Sequence, residues 1–180
     1  MKKFLNLFIL CLALSLVVFS NCTTAKALDA KPNAGSENLD QNNIDKAVEV
    51  FNHGQKKLYI TQSDIDLMAK LIYAESRGEP YEGKVAVASV VLNRVLSPKF
   101  PNTIKEVIYQ PKAFSCVNNG HIAAHPDKNC YAAVYDALRG SDPTNEALYY
   151  YNPSISTCSW MQHTEKKDTK SIGHHLFFKC

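Results

Sequence analysis

The sequence predicts a mostly helical α+β domain with a small β element. Two observations predict it. Between residues 61 and 138, apolar side chains recur at helical spacing. Near the carboxyl terminus, residues 147–151 and 175–178 form short runs rich in aromatic residues, which is typical of strands.

The first helix is predicted by a start signal, an apolar face and a stop signal. Thr61 and Asp64 have the spacing of a capping box. Gly78 and Pro80 end the helix. Between these signals the apolar face is formed by Ile65, Met68, Leu71 and Ile72.

Three further helices follow along the chain. Residues 83–96 are apolar on nearly all sides and predict a buried central helix, although their β-branched side chains would also suit a strand. Thr103 and Glu106 repeat the capping-box spacing and open a short helix that ends at Tyr109. Residues 129–138 predict the last helix, and residues 111–128 predict a loop.

The amino-terminal residues predict export. A basic start, an apolar run over residues 4–19 and the small-x-small sequence 25–27 are typical of a secretory signal peptide spanning residues 1–27. A membrane anchor is the alternative, but the run is short for a bilayer span. Residues 28–60 are polar and predict a flexible linker, with room for a short helix at 44–51, so the folded domain is predicted at 61–180. Attachment to a membrane is expected only if Cys22 carries a lipid.

The charge balance bears on which partners the protein can bind, and the cysteine content bears on whether its compartment is oxidising or reducing. The net charge of +3 comes from three lysines of the predicted signal peptide, and 17 basic and 17 acidic residues remain without it. This balance gives no support to a nucleic-acid partner. Four cysteines also remain, which in an exported chain is compatible with two disulfides. Pairing of near neighbours predicts Cys116–Cys130 and Cys158–Cys180, whereas four free thiols would suit a reducing compartment.

Glu75 is the most informative single residue. One more step of the first helix's apolar spacing places this carboxyl group on the buried stripe, at the helix end where a cleft can open. Desolvation there favours the protonated acid, and glycosidic cleavage requires such an acid to protonate the leaving oxygen. The alternative is a solvent-exposed Glu75 paired with Arg77.

Other polar residues of the sequence are candidates for catalysis or metal binding. Glu79 and Glu82 could supply a second carboxylate, but they follow Gly78 and are interpreted as residues of a turn. Five of the six histidines lie after residue 120, and none has the spacing of a known metal motif. We therefore expect neither a metal nor a cofactor.

The run of three tyrosines at 149–151, followed by Asn152, suits sugar binding. Aromatic rings can stack on sugar faces, and an amide can bind a hydroxyl or acetamido group. An ordinary aromatic strand packed on the core is the alternative. Because side chains alternate along a strand, either Tyr150 or the Tyr149 and Tyr151 pair can face a cleft, but not all three.

The order of these segments resembles a known family. The segments are residues 72–83 (IYAESRGEPYEG), 85–88, 91–95, 100–104, 113–115, 142–144, 149–153 and 172–175. Together they resemble the SleB-like cell wall hydrolases, which degrade spore-cortex peptidoglycan. The resemblance covers about residues 63–178, and the run around Glu75 is its most specific part.

The resemblance implies a lysozyme-like fold and a lytic transglycosylase that cleaves the glycan strand of cortex or cell-wall peptidoglycan. It implies that Glu75, the first acid of the Ala-Glu-x-Arg-Gly-Glu run, is the single catalytic acid. It also implies that Phe114, Ser115, Tyr150, Asn152 and His175 bind substrate, with His175 rather than His174 matching the Ile-Gly-x-His pattern. Ser76 departs from the family, in which alanine is common at this position.

Alternatives to this activity remain open at the level of sequence. An N-acetylmuramoyl-L-alanine amidase or a muramidase would act on the same polymer, and a wall-binding spore protein could keep the fold without turnover. The expected location is outside the cytoplasm, in the spore cortex or cell wall. The protein would be directed to this location by its substrate-binding cleft, by a spore protein partner or by the spore coat.

Overall fold

A computed structural model describes residues 46–180, and the predicted signal peptide lies outside these residues. The elements are β1 (Ala47–His53), β2 (Lys56–Thr61), α1 (Gln62–Ser76), α2 (Tyr81–Leu96), α3 (Ile104–Tyr109), α4 (Lys128–Leu138), β3 (Tyr149–Tyr151), α5 (Ser159–His163), β4 (Lys167–Ile172) and β5 (His175–Lys179). The predicted α+β class is confirmed. No helix within residues 46–180 is both long enough and apolar enough to cross a membrane.

Helix α2 is the centre of the core, as predicted. It packs against α1, α3 and α4, and its side chains Val87, Val90 and Val91 are fully buried. A helix surrounded on several sides has to be apolar around most of its circumference, which explains the sequence of this segment. The choice between strand and helix is settled by length, because 16 residues exceed a usual strand.

Side-chain caps fix where α1 and α3 begin. The Thr61 hydroxyl accepts the Asp64 N–H at 3.2 Å, and the Asp64 carboxylate accepts the Thr61 N–H at 3.0 Å. The Thr103 hydroxyl accepts the Glu106 N–H at 3.2 Å. Each cap satisfies backbone donors that have no partner inside the helix and stabilises it by about 1 kcal/mol.

A three-stranded antiparallel sheet in the order β3-β5-β4 lies beside the helices. Strand β5 is central, and Phe177 and Phe178 on it are fully buried. Both predicted strands exist with slightly different bounds, while β4 was not predicted because residues 167–171 are polar and exposed. In the β3–β5 pairing Tyr150 lies opposite Phe177.

The predicted linker is wrong for residues 47–60, and no helix forms at 47–51. Strands β1 and β2 make an antiparallel hairpin that places Phe51 and Ile60 in the core, with exposed fractions of 5% and 1%. Gly54 adopts a φ of +58° in the two-residue turn. Glycine tolerates this conformation without strain, and Gly-X is a known hairpin turn pattern. The folded domain therefore includes the hairpin.

The two predicted disulfides are also wrong. Cys116, Cys130, Cys158 and Cys180 are all free thiols. Cys130 is fully buried on the core side of α4. The Cys116 thiol lies against Glu75, so it faces the site instead of α4. The pairing was predicted from proximity in the sequence alone, and the fold places Cys116 and Cys130 in different environments.

Alkylation of the native protein should separate these thiols by reactivity. Cys158 and Cys180 are exposed and are expected to react first. Cys130 is buried, and burial together with Glu75 raises the pKa of Cys116 to about 12, so both should react slowly because the thiolate is the nucleophile. Mass spectrometry after a short pulse of iodoacetamide, without reductant, measures the order. If the protein takes up label only after reduction, the cysteines form disulfides and the free thiols described above are wrong.

Candidate active site

Glu75 is held by two hydrogen bonds at the last turn of α1. The Tyr150 hydroxyl donates to its Oε2 atom at 3.1 Å, and the Cys116 N–H donates to its Oε1 atom at 3.3 Å. The residue itself is half-buried. Three separate segments therefore meet at this carboxylate: the end of α1, the loop after α3, and strand β3.

The end of α1 is fixed by two further bonds next to Glu75. The Ser76 hydroxyl donates to the Ile72 carbonyl at 2.6 Å, and the Lys84 ammonium donates to the Ser76 carbonyl at 2.7 Å. Lys84 is 8% exposed. A cation at a helix carboxyl end satisfies a free carbonyl and complements the helix dipole. The backbone that carries Glu75 is thus tied to α2.

Tyr150 is a buried donor with a fixed ring. The ring is 9% exposed and lies 6.5 Å from Phe114, 5.4 Å from Phe177 and 5.2 Å from His175, measured between ring centres. Burial, and then the neighbouring Glu75, raises the pKa of Tyr150 well above its ordinary value. The phenol therefore stays protonated and can donate to Glu75. Of the two faces that the sequence left open, β3 turns Tyr150 toward the acid.

Arg94 lies behind the site and was missed by the sequence prediction. Its Nε donates to the Leu148 carbonyl at 2.8 Å, and its guanidinium is 5.0 Å from the ring centre of Phe114 and 5.7 Å from that of Tyr149. Burial lowers the pKa of Arg94, while Tyr150, Tyr149 and Glu75 oppose that change. An arginine inside an otherwise apolar helix was the signal available in the sequence, because such a charge requires partners.

Glu79 is more than a residue of an exposed turn. Its side chain is only 8% exposed, and its Oε2 accepts the His174 N–H at 2.9 Å. Its Oε1 is 3.1 Å from Nδ1 of His174 and 4.0 Å from Nδ1 of His175. Glu82, by contrast, is exposed in the first turn of α2, so its interpretation as a residue of the turn before the helix is wrong.

The five residues implied to bind substrate occupy different environments. Tyr150 contacts Glu75 directly, and Phe114 is buried behind Tyr150 with 5% exposure. Ser115 is exposed and immediately precedes Cys116. His175 packs its ring edge-on against Tyr150. The Asn152 side-chain oxygen accepts the Ser154 N–H at 2.9 Å, which closes a local turn.

Neither of two surface cavities includes Glu75. One, of about 410 Å³, lies beside His53 and Glu146, and the other, of about 400 Å³, beside Lys70 and His121. Within residues 46–180, no three His, Cys, Asp or Glu side chains are grouped as metal ligands. The expectation that the site uses no metal stays a prediction.

Replacing Tyr150 by phenylalanine should lower any activity that depends on Glu75. The variant keeps the packed ring and removes only the hydroxyl that donates to Oε2, so the fold should be unchanged. A hydrogen bond to a charged group contributes about 1.5–3 kcal/mol, which corresponds to a rate loss of roughly 10- to 100-fold. Turnover of peptidoglycan measures the loss. Tyr151→Phe, on the opposite side of β3, is the matched control, and equal rates for Tyr150→Phe and the native protein would contradict the role.

The fold and the site define a small α+β domain that presents one candidate acid, Glu75, at a helix end. Comparison with known proteins identifies the family. A model of the Cell Wall Hydrolase family matches residues 78–178, and the chain belongs to this family. Glu75 lies three residues before the matched range.

Characterised relatives agree with this assignment. The chain is 50% identical over 119 residues to the spore cortex-lytic enzyme of Bacillus cereus, covering 66% of this chain and 45% of that enzyme. It thus spans less than half of that relative's length. It is 33% identical over 99 residues to the cell wall hydrolase CwlJ of Bacillus subtilis, covering 52% of this chain and 70% of that protein.

Two solved structures confirm the fold. The catalytic domain of the Bacillus cereus SleB protein matches with a TM-score of 0.59 and 50% identity, over 66% of this chain and 91% of that one. The catalytic domain of the germination-specific lytic transglycosylase SleB from Bacillus anthracis matches with a TM-score of 0.61 and 49% identity, over 67% of this chain and 97% of that one.

Proposed function

We propose that this protein is a lytic transglycosylase that cleaves the glycan strand of spore-cortex peptidoglycan, with Glu75 as acid and base. The observation that carries the proposal is the Glu75 carboxylate, half-buried at a helix end and held by one hydroxyl and one backbone donor. The close similarity to spore cortex-lytic enzymes supports the choice of polymer.

In the first step, protonated Glu75 gives its proton to the glycosidic oxygen that follows N-acetylmuramic acid or its lactam. The bond between that oxygen and the anomeric carbon breaks, and positive charge develops on the sugar ring. General acid catalysis of this kind contributes about 10²–10⁴-fold to the rate. Glu75 is left as a carboxylate, which the Tyr150 hydroxyl and the Cys116 N–H stabilise by donating to its two oxygens.

In the second step, the same carboxylate removes the proton of the sugar's own 6-hydroxyl. The 6-oxygen bonds to the anomeric carbon and closes a 1,6-anhydro ring. Glu75 is thereby protonated again, as it was before the first step. No water is consumed and no second carboxylate is needed. This suits Glu79, whose carboxylate is already bonded to the backbone of His174.

In this proposal the strand is bound through further residues of the segments next to Glu75 and Tyr150. Ser115 is exposed beside Cys116, and the Asn152 amide nitrogen remains free to donate because only its oxygen is used in the local turn. The partly exposed side chain of His175 packs edge-on against the Tyr150 ring, which also lies 6.5 Å from the Phe114 ring. Phe114 acts by supporting Tyr150 from within the core.

The site of action follows from the substrate. Cortex peptidoglycan lies outside the cytoplasm, so the protein must be exported, as the predicted signal peptide of residues 1–27 would achieve. Binding to a spore protein partner and attachment of a lipid to Cys22 are further hypotheses about how the protein is held at this location.

Digestion of purified cortex peptidoglycan tests the proposal. The exported protein is incubated with the polymer, and the soluble fragments are identified by mass spectrometry. Fragments that end in 1,6-anhydromuramic acid are expected. New reducing ends would indicate a muramidase, released stem peptides an amidase, and binding without fragments a wall-binding protein, and each of these would overturn the proposal.

A further inference from the structure

A carboxylate–imidazole pair with little exposed surface lies beside Tyr150. The side chains of Glu79 and His175 are 8% and 11% exposed, and Glu79 Oε1 is 4.0 Å from His175 Nδ1. The His175 ring lies 5.2 Å from the Tyr150 ring in an edge-on arrangement, and Tyr150 in turn donates to Glu75. The pair therefore adjoins the proposed acid without being part of its hydrogen bonds.

The fold builds this pair by placing Glu79 directly against the β4–β5 turn. Glu79 accepts the His174 N–H, and Gly173 in the same turn has a φ of +58°. A Cβ atom on Gly173 would overlap the Glu79 Oε2 atom. Glycine at this position thus serves both the turn conformation and the close approach of the carboxylate.

One atom of the pair has no hydrogen-bond partner. Among the buried side-chain nitrogen and oxygen atoms of residues 46–180, only Nδ1 of His175 makes no hydrogen bond. Since Nδ1 is buried, the 11% exposure of the side chain belongs to its other atoms. A bare Nδ1 lone pair facing a carboxylate at 4.0 Å would be repelled, whereas an Nδ1–H is attracted. The carboxylate therefore favours the tautomer with the proton on Nδ1.

Burial keeps the His175 ring uncharged despite the two carboxylates near it. Burial lowers the pKa of His175, and His174 lowers it further, while Glu79 and Glu75 act in the opposite direction with the smaller effect. Burial raises the pKa of Glu79, but the bonds and charges of His174 and His175 outweigh it and leave this pKa below its ordinary value. Near neutral pH the pair is thus a carboxylate facing an uncharged imidazole.

We propose that His175 Nε2 accepts a hydrogen bond from a hydroxyl or amide N–H of the glycan bound at Glu75, and that Glu79 is the positioning residue that keeps Nε2 an acceptor. The inference rests on the proposed function for the identity of the ligand. Its structural part, the tautomer of His175, is independent of any activity.

Glu79→Gln is the variant that isolates this role. The glutamine oxygen can still accept the His174 N–H, so the turn keeps its anchor. The glutamine NH₂ then replaces Oε1, which lies 3.1 Å from Nδ1 of His174 and 4.0 Å from Nδ1 of His175. An N–H dipole at this position attracts the bare lone pair of His175 Nδ1 and repels a proton on it. The imidazole proton moves to Nε2, which changes from an acceptor into a donor. The variant keeps the shape and packing of residue 79 and changes only whether His175 Nε2 accepts or donates a hydrogen bond.

Nitrogen-15 NMR of the histidine rings tests the tautomer first, at about pH 8, above the ordinary histidine pKa. His175 should carry its proton on Nδ1 in the native protein and on Nε2 in Glu79→Gln, while Glu82→Gln should behave as the native protein does. A native His175 protonated on Nε2, or a tautomer that Glu79→Gln leaves unchanged, overturns the proposal. The native spectrum decides the point even if the variant folds poorly.

Binding tests the consequence, in a Glu75→Gln background that prevents turnover. A soluble disaccharide-repeat fragment of cortex peptidoglycan is the probe. Glu79→Gln and His175→Gln should each weaken binding roughly tenfold, the value of about one hydrogen bond. Together they should weaken it no more than His175→Gln alone. A purely structural role for Glu79 would add a second loss, and that result, like full affinity of Glu79→Gln, overturns the proposal.

The two proposals fail in different ways. If cortex digestion yields no anhydro ends but the His175 tautomer and the coupling to Glu79 are as stated, only the chemistry assigned to Glu75 is wrong. If anhydro ends form but the tautomer is reversed, only the role of the Glu79–His175 pair is wrong.

Discussion

Replacing Glu75 by glutamine is expected to remove nearly all cleavage of cortex peptidoglycan while leaving the fold intact. Glutamine has the size of glutamate but no transferable proton, and Glu75 is proposed to carry both proton transfers. One such transfer contributes about 10²–10⁴-fold, so the loss should reach or exceed the upper end of this range. The rate of release of soluble fragments measures it.

Two controls make this result specific. Circular dichroism should show an unchanged fold, because the glutamine oxygen still accepts one of the two bonds from Tyr150 and Cys116. Glu82→Gln, an exposed change seven residues away, should cleave at the native rate. Substantial turnover by folded Glu75→Gln would falsify the mechanism.

Replacing Phe177 by alanine is expected to have the largest effect on stability. Phe177 is fully buried on the central strand β5, and its ring lies 5.4 Å from that of Tyr150. Removing a buried phenylalanine ring costs about 3–5 kcal/mol through lost apolar burial and the cavity left behind. Since small domains are stable by about 5–15 kcal/mol, the variant should be close to unfolding.

Urea denaturation measures this free energy of unfolding. Where the variant is still folded, its cleavage rate should also fall, because the cavity lies beneath the ring that holds Glu75. Val50→Ala on strand β1 is the control, since Val50 is 45% exposed and should change stability by less than about 0.5 kcal/mol. Equal stability of Phe177→Ala and Val50→Ala would contradict the packing described for β5.

The helices could be predicted because their signals are local. Thr61 and Thr103 cap helices by bonding to residues three positions away, so the sequence contains both partners of each contact. The position of Glu75 on α1 follows from the same periodicity. The identity of its partners could not be predicted, because Tyr150 is 75 positions away in the chain.

The errors come from contacts between distant segments. Glu79 looks like a turn residue beside Gly78, and only the β4–β5 turn, 95 positions later, buries its carboxylate. The hairpin at 47–61 was missed for a related reason. Most of its positions are polar or exposed, and only Phe51 and Ile60 are buried in the core, with Leu58 packed partly against it. The Gly54–Gln55 turn was the one local signal for it.

Digestion in water enriched in oxygen-18 tests the central claim most directly, because it identifies the nucleophile. If the sugar's own 6-hydroxyl attacks the anomeric carbon, no solvent oxygen enters the product. The new muramic ends are then expected to contain no oxygen-18 in mass spectra of fragments taken early in the reaction. Oxygen-18 at every new end would show that water attacks, and would contradict the assignment of Glu75 as the acid and base of a transglycosylase.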